Sequence, residues 1–324
     1  SSLANYTWTR TVSSQMGSAY GELNLLKGLV FKTTISASNQ LAKQDEYRGT
    51  YSKSVNLGLT RGSVEDDYIT AYTFDNQLTY NLEKGKSKLN VTGLQSAFKT
   101  STEMNVGSVT NLPFNSYWYN MQSAGSFSIG SSFSQRSLQS YMGRINYTFN
   151  DKYLFTFTGR SDGASQLAEG KKWAFFPSGA FAWRLGDENF VKDLNVFSDL
   201  KLRVSFGQVG NSVVSPYQTS ATLAGTNYNF GQNAGIGLAP GNLPNQQLGW
   251  ERSEELNLGL NVGFFNNRVT AAIEVYNRTT KDLIMRQALP TTSGFGTIIA
   301  NVGRVSNKGV EMLLNTTNIS TKNL

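Results

Sequence analysis

Apolar and polar residues alternate along most of this chain, the two-residue period of a strand whose two sides meet different surroundings. In ELNLGLNVGFF, Leu256, Leu258, Leu260, Val262 and Phe264 alternate with Asn257, Gly259, Asn261 and Gly263; in LKLRVSF, Leu200, Leu202, Val204 and Phe206 alternate with Lys201, Arg203 and Ser205. Two such runs flank Asn150-Asp151. Ile145, Tyr147 and Phe149 lead into that turn and Tyr153, Phe155 and Phe157 leave it, against Arg144, Asn146, Thr148, Thr156, Thr158 and Arg160. A β-hairpin with one oily and one polar side is expected there. The same reading predicts about eleven strands over the chain, near 18–26, 28–38, 66–82, 86–104, 136–149, 152–163, 172–186, 199–209, 248–264, 268–284 and 298–316.

The connections carry a second pattern. Those at Lys27-Gly28, Glu83 to Gly85, Asn150-Asp151 and Phe265 to Asn267 are tight, and DENFVKDLNVFS (Asp187 to Ser198) reads as a compact piece with a helical turn or two. Those near 39–65, 105–135, 164–171, 210–247 and 285–297 are mostly long and rich in Gly, Ser, Asn and aromatics. Successive connections of an up-and-down meander lie at opposite ends, so the tight ones share one rim and the long ones the other. Outer-membrane barrels are arranged this way, with short periplasmic turns and long external loops. About twelve residues at ~3.3 Å each, tilted by ~45°, span a little under 30 Å, which suits an outer-membrane apolar band. The expected fold is therefore all-β, a transmembrane antiparallel β-barrel. Tyr147, Phe149, Tyr153, Phe155, Phe157, Leu258 and Leu260 should face lipid, and Arg144, Asn146, Thr156, Thr158, Arg160, Asn257 and Asn261 a wet interior. An odd strand count is awkward for a closed barrel, whose edges must pair; either a strand is missing, with Ser54 to Thr60 the best candidate, or the chain is part of a larger barrel.

Composition narrows the chemistry. The 324 residues include no Cys and no His, which removes thiol nucleophiles, Ser-His and Cys-His pairs and the zinc sites built on those ligands. No catalysis, cofactor or metal is expected. There is no run of eighteen apolar residues, so no helical membrane span is expected, whereas alternating strands give too weak a hydropathy signal to be excluded the same way. Lys and Arg, which give a formal charge of +7, are scattered or sit at turns, so no nucleic-acid partner is expected.

Several motifs admit a chemical and a structural reading. GIGLAPG (Gly235 to Gly241) has the wrong third spacing for a dinucleotide loop and follows no βα unit, so it reads as a plain loop. The adjacent carboxylates Asp66-Asp67, Asp187-Glu188 and Glu254-Glu255 make poor catalytic pairs, because neighbours on a strand point to opposite faces. Arg160-Ser161-Asp162-Gly163 reads as structural, with Gly163 opening a turn.

A resemblance covers most of the chain from about Tyr20 onward. YLFTFTGRSDGAS, KKWAFFPSGAFAWRLGDENF, DLKLRVSFGQVGN, LGWERSEELNLGLNVGFFNNRV, NRTTKDLI and NVGRVSNKGVE resemble, in order and spacing, the barrel of the SusC/RagA-type TonB-linked outer-membrane transporters. YGELNLLKGLVFKTTIS and DNQLTYNLEKGKSKLNVTG look like the family's middle-barrel strands. Ala164 and Gln166-Leu167 depart from the pattern, standing where the family usually shows a Ser and an Arg-Phe-like pair. The resemblance implies a barrel of about 22 strands, a plug inside it, a segment reaching periplasmic TonB, and a SusD-like surface lipoprotein over the external mouth. On that reading residues 1–324 are about half a barrel, without the N-terminal plug or the C-terminal strands. The implied function is TonB-dependent import of an oligosaccharide or oligopeptide across the outer membrane of a Gram-negative bacterium. A passive porin-like channel and a soluble β-rich glycan-binding or adhesive protein are the alternatives.

Two loops carry the candidate substrate contacts. Tyr117, Trp118 and Tyr119 lie in the 105–135 connection, and Tyr217, Tyr228 and Phe230 lie among Asn and Gln in the 210–247 connection. Aromatic rings stack on sugars or peptide groups and amides hydrogen-bond them, while the same rings could equally pack loop on loop or loop on lid.

Overall fold

The computed structural model describes residues 5–50, 59–231 and 233–319. Eleven strands form one sheet in chain order: β1 (Tyr6–Leu26), β2 (Leu29–Arg48), β3 (Arg61–Lys84), β4 (Ser87–Thr110), β5 (Ser126–Phe149), β6 (Tyr153–Ala164), β7 (Trp173–Arg184), β8 (Phe197–Asn211), β11 (Glu251–Phe264), β12 (Val269–Lys281) and β15 (Arg304–Thr316). Two small two-stranded sheets stand apart, β9 (Leu223–Phe230) with β10 (Asn233–Pro240) and β13 (Ile284–Ala288) with β14 (Thr297–Asn301). The piece after β7 is a 3-10 turn at Leu185–Asp187 followed by α1 (Asn189–Lys192). No described helix is long and apolar enough to cross a membrane.

All eleven expected strands are present, with three differences. β1, β3 and β5 begin earlier than expected, in stretches such as SFSIGSSFSQ, where Phe127, Ile129 and Phe133 still share one face but Ser131 interrupts the row; the strands continue where the two-residue signal is broken. The expected strands 268–284 and 298–316 are each interrupted, at Asp282 (φ 56°) and Gly303 (φ 88°). The chain bends at both points, held by Val302 N–H donating to Leu283 O at 2.8 Å, and continues as β13 and β14. The GIGLAPG stretch is the strand β10, not a loop. Of the candidate missing strand, Ser54 to Gly58 lie outside the described residues, and Leu59 and Thr60 are not in a strand.

The chain divides into two compact units. One comprises residues up to 21, 34–74 and 97–137. Its apolar cluster is Tyr47, Val109 and Leu112, with Trp118, Met121 and Ala124 packed on it. The Thr60 hydroxyl pins the start of the connection after β4, donating to Leu112 O at 3.1 Å and accepting from Leu112 N–H at 2.6 Å.

The second unit holds residues 22–33, 75–96 and everything from 138 onward, and its strand register settles the faces. Leu258 is paired with Val204, Val204 with Phe181, Phe181 with Phe155 and Phe155 with Tyr147. One residue away, Asn257 is paired with Ser205, Ser205 with Ala180, Ala180 with Thr156 and Thr156 with Asn146. Cross-strand partners share a face, so one surface is apolar and the other polar over five strands, as the alternation implies. Most of the unit's large apolar side chains are exposed on the first surface, among them Phe157, Phe206, Leu256, Leu258 and Val275.

Aromatics on the apolar surface gather in two rows. Near the tight turns, Tyr147 stacks on Phe155 and Phe155 meets Phe181 tilted at 35°, and Phe149, Tyr153 and Trp183 form a stacked set, with ring centres 4.9 to 6.4 Å apart. Toward the other end of the same strands, Tyr141 stacks on Trp173 at 6.0 Å. From Tyr153 to Gly163, the partner of Trp173, is about ten residues. That is ~23 Å of height at ~3.3 Å per residue and ~45° of tilt, close to the apolar band between the aromatic girdles of an outer-membrane barrel.

Candidate functional site: the polar wall and the loop end

The polar face of the second unit is cross-linked by its own side chains. Asn90 donates to Asn81 at 2.7 Å, Asn146 to Asn90 at 3.1 Å and Thr156 to Asn146 at 2.9 Å, an amide and hydroxyl chain across four strands. Further along the sheet, Arg203 donates to Asn261 at 2.8 Å and to Glu274 at 2.7 Å, and Asn257 donates to Glu274 at 3.2 Å. Arg203 is on β8 and Glu274 on β12, so its guanidinium crosses the intervening β11. Gly259 makes the crossing possible, since a Cβ there would sit 3.0 to 3.4 Å from the guanidinium atoms. Arg278 donates to Glu255 at 2.6 Å beside a recess of about 480 Å³ whose polar lining includes Thr156, Ser178, Ser205 and Ser253. Glu254, on the other face, takes Lys281 at 2.7 Å, so Glu254 and Glu255 diverge as neighbours on a strand must. Groups of this kind bind water and polar solutes; among the described residues no group of three or more Asp or Glu is placed to hold a metal.

At the loop end of this unit the polar face is capped by a small core of Ala164, Leu167, Ala174, Phe176, Val214, Leu248 and Trp250. Loops are tied to it by polar anchors. Trp250 Nε1 donates to Lys172 O at 2.8 Å, Gln166 Nε2 to Ser212 O at 3.0 Å, and Asn245 Nδ2 to Ile299 O at 2.8 Å. Asn301 both accepts from Gly249 N–H at 2.7 Å and donates to Gly249 O at 3.0 Å. Ala164, Gln166 and Leu167, the departures from the family pattern, therefore lie in a buried loop anchor. Arg160 grips Asp162 at 2.8 and 2.9 Å and Ser140 at 2.9 Å, which makes that motif a strand-to-strand tie. Gly163 does not open a turn. It is within β6, and a Cβ on it would lie 2.5 Å from the Trp173 ring, so glycine there lets the indole lie flat over the strand.

The aromatic candidates fall into two groups, one in each unit. Tyr117, at φ 55°, sets its ring 5.1 Å from buried Tyr47 and 6.0 Å from Trp118. Tyr47 in turn donates to Asn115 Oδ1 at 2.7 Å. Tyr117 and Trp118 thus hold their loop to the strand ends, whereas Tyr119, 79% exposed, presents its ring outward. Tyr217, at φ 68°, is in the turn before β9 and is half exposed. Tyr228 is on the β9–β10 hairpin, exposed, and Phe230 ends β9, where only its backbone is among the described positions. The anchoring residues Trp250, Asn245 and Asn301 carry no role in the sequence reading, although Trp250 belongs to the LGWERSE motif; a buried anchor reads like any loop residue until its partners are known.

At the tight-turn end, Glu188 accepts from Lys152 Nζ at 2.8 Å, Tyr153 OH at 2.8 Å and Trp183 Nε1 at 3.1 Å. These three donors hold its carboxyl down to about 2. A carboxylate whose folded value lies below its ordinary one of 4.5 stabilises fully above that value and loses the contribution as pH falls toward the folded one. Glu188→Gln is therefore expected to lower the melting temperature of the assembled protein at pH 7 and to leave less acid sensitivity between about pH 4 and 2. Thermal melts of both proteins at pH 7, 4 and 2.5 check this; parallel loss on acidification would remove Glu188 from the account.

Eleven antiparallel strands in chain order, with aromatic rows bounding an apolar face and a hydrogen-bonded polar face behind it, define the wall of a transmembrane β-barrel. The family description TonB dependent receptor-like, beta-barrel matches residues 2–321, and the chain belongs to that family. It is 33% identical over 316 residues to TonB-dependent receptor P3 of Formosa agariphila, covering 96% of this chain and 31% of that protein. Against TonB-dependent receptor SusC of Bacteroides thetaiotaomicron it is 38% identical over 194 residues, 58% of this chain and 19% of SusC. The chain thus spans about a third or less of the length of these relatives. Its fold superposes on the structure of the RagAB peptide transporter with a TM-score of 0.88 at 22% identity, over 99% of this chain and 36% of that one. BauA, the ferric preacinetobactin receptor from Acinetobacter baumannii, gives 0.58 at 13% identity over 96% of this chain and 44% of that one.

Proposed function

We propose that residues 1–324 form part of the barrel wall of a TonB-coupled importer in the outer membrane of a Gram-negative bacterium, taking up an oligosaccharide or oligopeptide. The observation that carries this reading is the register of the second unit: an apolar surface between two aromatic rows, backed by a polar surface of amides and ion pairs. That division suits lipid outside and a wet lumen inside, and it does not suit a soluble sandwich, which would cover its apolar face. The family membership supports TonB coupling through a segment outside this chain. The fold shared with a peptide transporter and the identity shared with SusC support a large polar nutrient and a SusD-like lipoprotein partner. The exposed Tyr119, Tyr217 and Tyr228, with Phe230, are proposed as contacts for substrate or lipoprotein, and the rest of the barrel and its plug are proposed to come from polypeptide beyond this chain.

Uptake in cells tests the reading. Deletion of the gene should abolish energised accumulation of one class among fluorescent maltooligosaccharides, other glycan oligomers and mixed peptides, and collapse of the proton gradient should do the same in the wild type. Uptake that survives the uncoupler would identify a passive channel instead.

A further inference from the structure

The apolar face of the second unit is not uniformly covered by side chains. Gly93 and Gly143, from the consecutive strands β4 and β5, floor one groove of about 590 Å³ walled by Phe31, Leu78 and Phe175, the Phe175 ring lying over Gly159 of β6, where a Cβ would sit 2.9 Å from it. Gly143 and Gly159 are direct partners and Gly159 faces Pro177 on β7. The trough therefore crosses the strands where neighbouring rows carry Phe157 and Tyr141. A Cβ on Gly93 or Gly143 would meet nothing within 4 Å, so the space above these residues is open and not filled by a neighbour.

The groove has a polar end. Asn76, Gln95, Tyr141 and Ser161 line it together, Asn76 Nδ2 donating to Gln95 Oε1 at 2.7 Å. Asn76 stands between Phe74 and Leu78 in the alternation, and Tyr141 shares its face with Gly143, so these polar groups look outward from a surface that is otherwise oily. Amides exposed to hydrocarbon are costly, and their mutual bond uses only one donor and one acceptor of the four each pair of amide groups can offer. A partner with both an apolar and a hydrogen-bonding part would meet the remainder.

We propose that this groove holds one bilayer lipid, its acyl chain lying over Gly93 and Gly143 and against the Phe175 ring that covers Gly159, and its ester or amide linkage meeting Asn76, Gln95, Tyr141 and Ser161. The inference rests on the reading of this face as the lipid-facing one. Its place between the lower aromatic rows and the Tyr141–Trp173 pair puts the trough within the apolar band and the polar end on the side of the upper pair, where a lipid's linkage region lies. The occupant is hydrocarbon because the floor is bare backbone and the walls are Phe and Leu, with no charged side chain among the residues that line the groove.

The test uses the full-length receptor in vesicles containing phospholipid dibrominated in its acyl chains. A bimane label is placed by Ile145→Cys, beside the groove, or by Leu258→Cys, on the same face of β11 away from it. Quenching at both positions is expected, with half-quenching at Ile145→Cys reached at a brominated fraction about threefold lower, an apparent affinity ratio of ~0.6 kcal/mol. Gly143→Leu, which the open space accommodates, should bring Ile145→Cys to the Leu258→Cys value, and Asn76→Leu should recover part of that shift. Equal quenching at the two positions, unmoved by Gly143→Leu, would overturn the lipid site while leaving the membrane reading intact. Quenching at Ile145→Cys weaker than at Leu258→Cys would mean that protein covers the groove, which also overturns it. No quenching at either position would refute the lipid-facing assignment itself.

Discussion

Phe157→Arg should nearly abolish assembled receptor in the outer membrane, while Thr156→Arg, one residue away, should leave assembly close to normal. Phe157 lies on the apolar surface between the two aromatic rows, 58% exposed and paired with Ile145 and Gly179. A cation at that depth costs ~2–4 kcal/mol near the bilayer midplane, roughly a thirty- to seven-hundred-fold change in a folding equilibrium. Thr156 points to the opposite face, beside Asn146 and the recess shared with Ser178 and Ser205, where a guanidinium stays hydrated. Heat-modifiability on gels and surface protease resistance of the two variants measure the difference. Since a slip of one residue turns every side chain to the other face, a reversed outcome would mean that the polar surface is the one in lipid.

The sequence makes the faces legible because the two environments differ so strongly that every second residue records them. The eleven strands follow from that record, and so do the tight turns, where Asn150 and Asp151 take positive φ as an Asn-Asp pair in a hairpin readily does. What it leaves illegible is strand outside the apolar band. The first residues of β1 and β5 keep only a broken period: Arg10 and Ser14 interrupt the row of Tyr6, Trp8, Val12 and Met16, and Ser131 interrupts that of Phe127, Ile129 and Phe133. The breaks at Asp282 and Gly303 escape notice for a different reason. NRTTKDLIM is six polar residues followed by three apolar ones and IIANVGRVS has no period of its own, so strand and bend read alike there, and only the backbone at Asp282 and Gly303 shows where the chain turns.

The candidate contacts show the same limit in a different form. An aromatic beside Asn and Gln in a long loop is a fair signal for recognition, yet it does not separate Tyr117, which leans on buried Tyr47, from Tyr119, whose ring meets that of its neighbour Trp118 at 5.4 Å and stays largely exposed. That distinction is made by burial of partners distant in sequence. Likewise Trp250, Gln166 and Asn301 hold the loop end together through bonds that span tens of residues, and local pattern carries no trace of them.

Removing Leu223 to Pro240 and joining Thr222 to Gly241 through a Gly-Asn turn should leave assembly intact and lower nutrient uptake or lipoprotein retention about tenfold, the ~1.4 kcal/mol scale of one good aromatic contact. The hairpin is built to be removable at that point. Gly241 N–H donates to Thr222 O at 2.7 Å, and Asn242 ties Thr222 and Ser220 from below, so a two-residue turn closes the gap without strain on the stem. The anchors beneath it, Val214, Asn245, Leu248 and Trp250, lie outside the deleted segment and keep the loop end packed. Removed are the Tyr228 ring, Phe230 and an outward apolar face: Leu223, Ile236 and Leu238 alternate onto one side of the β9–β10 pair and are each more than two-thirds exposed. Such a face on a polar loop is costly to leave in water and suits contact with a partner or a substrate. Uptake rates and lipoprotein co-purification, normalised to assembled receptor, give the answer; if both match the wild type, the hairpin is only a connection and the recognition surface lies elsewhere on the loop end.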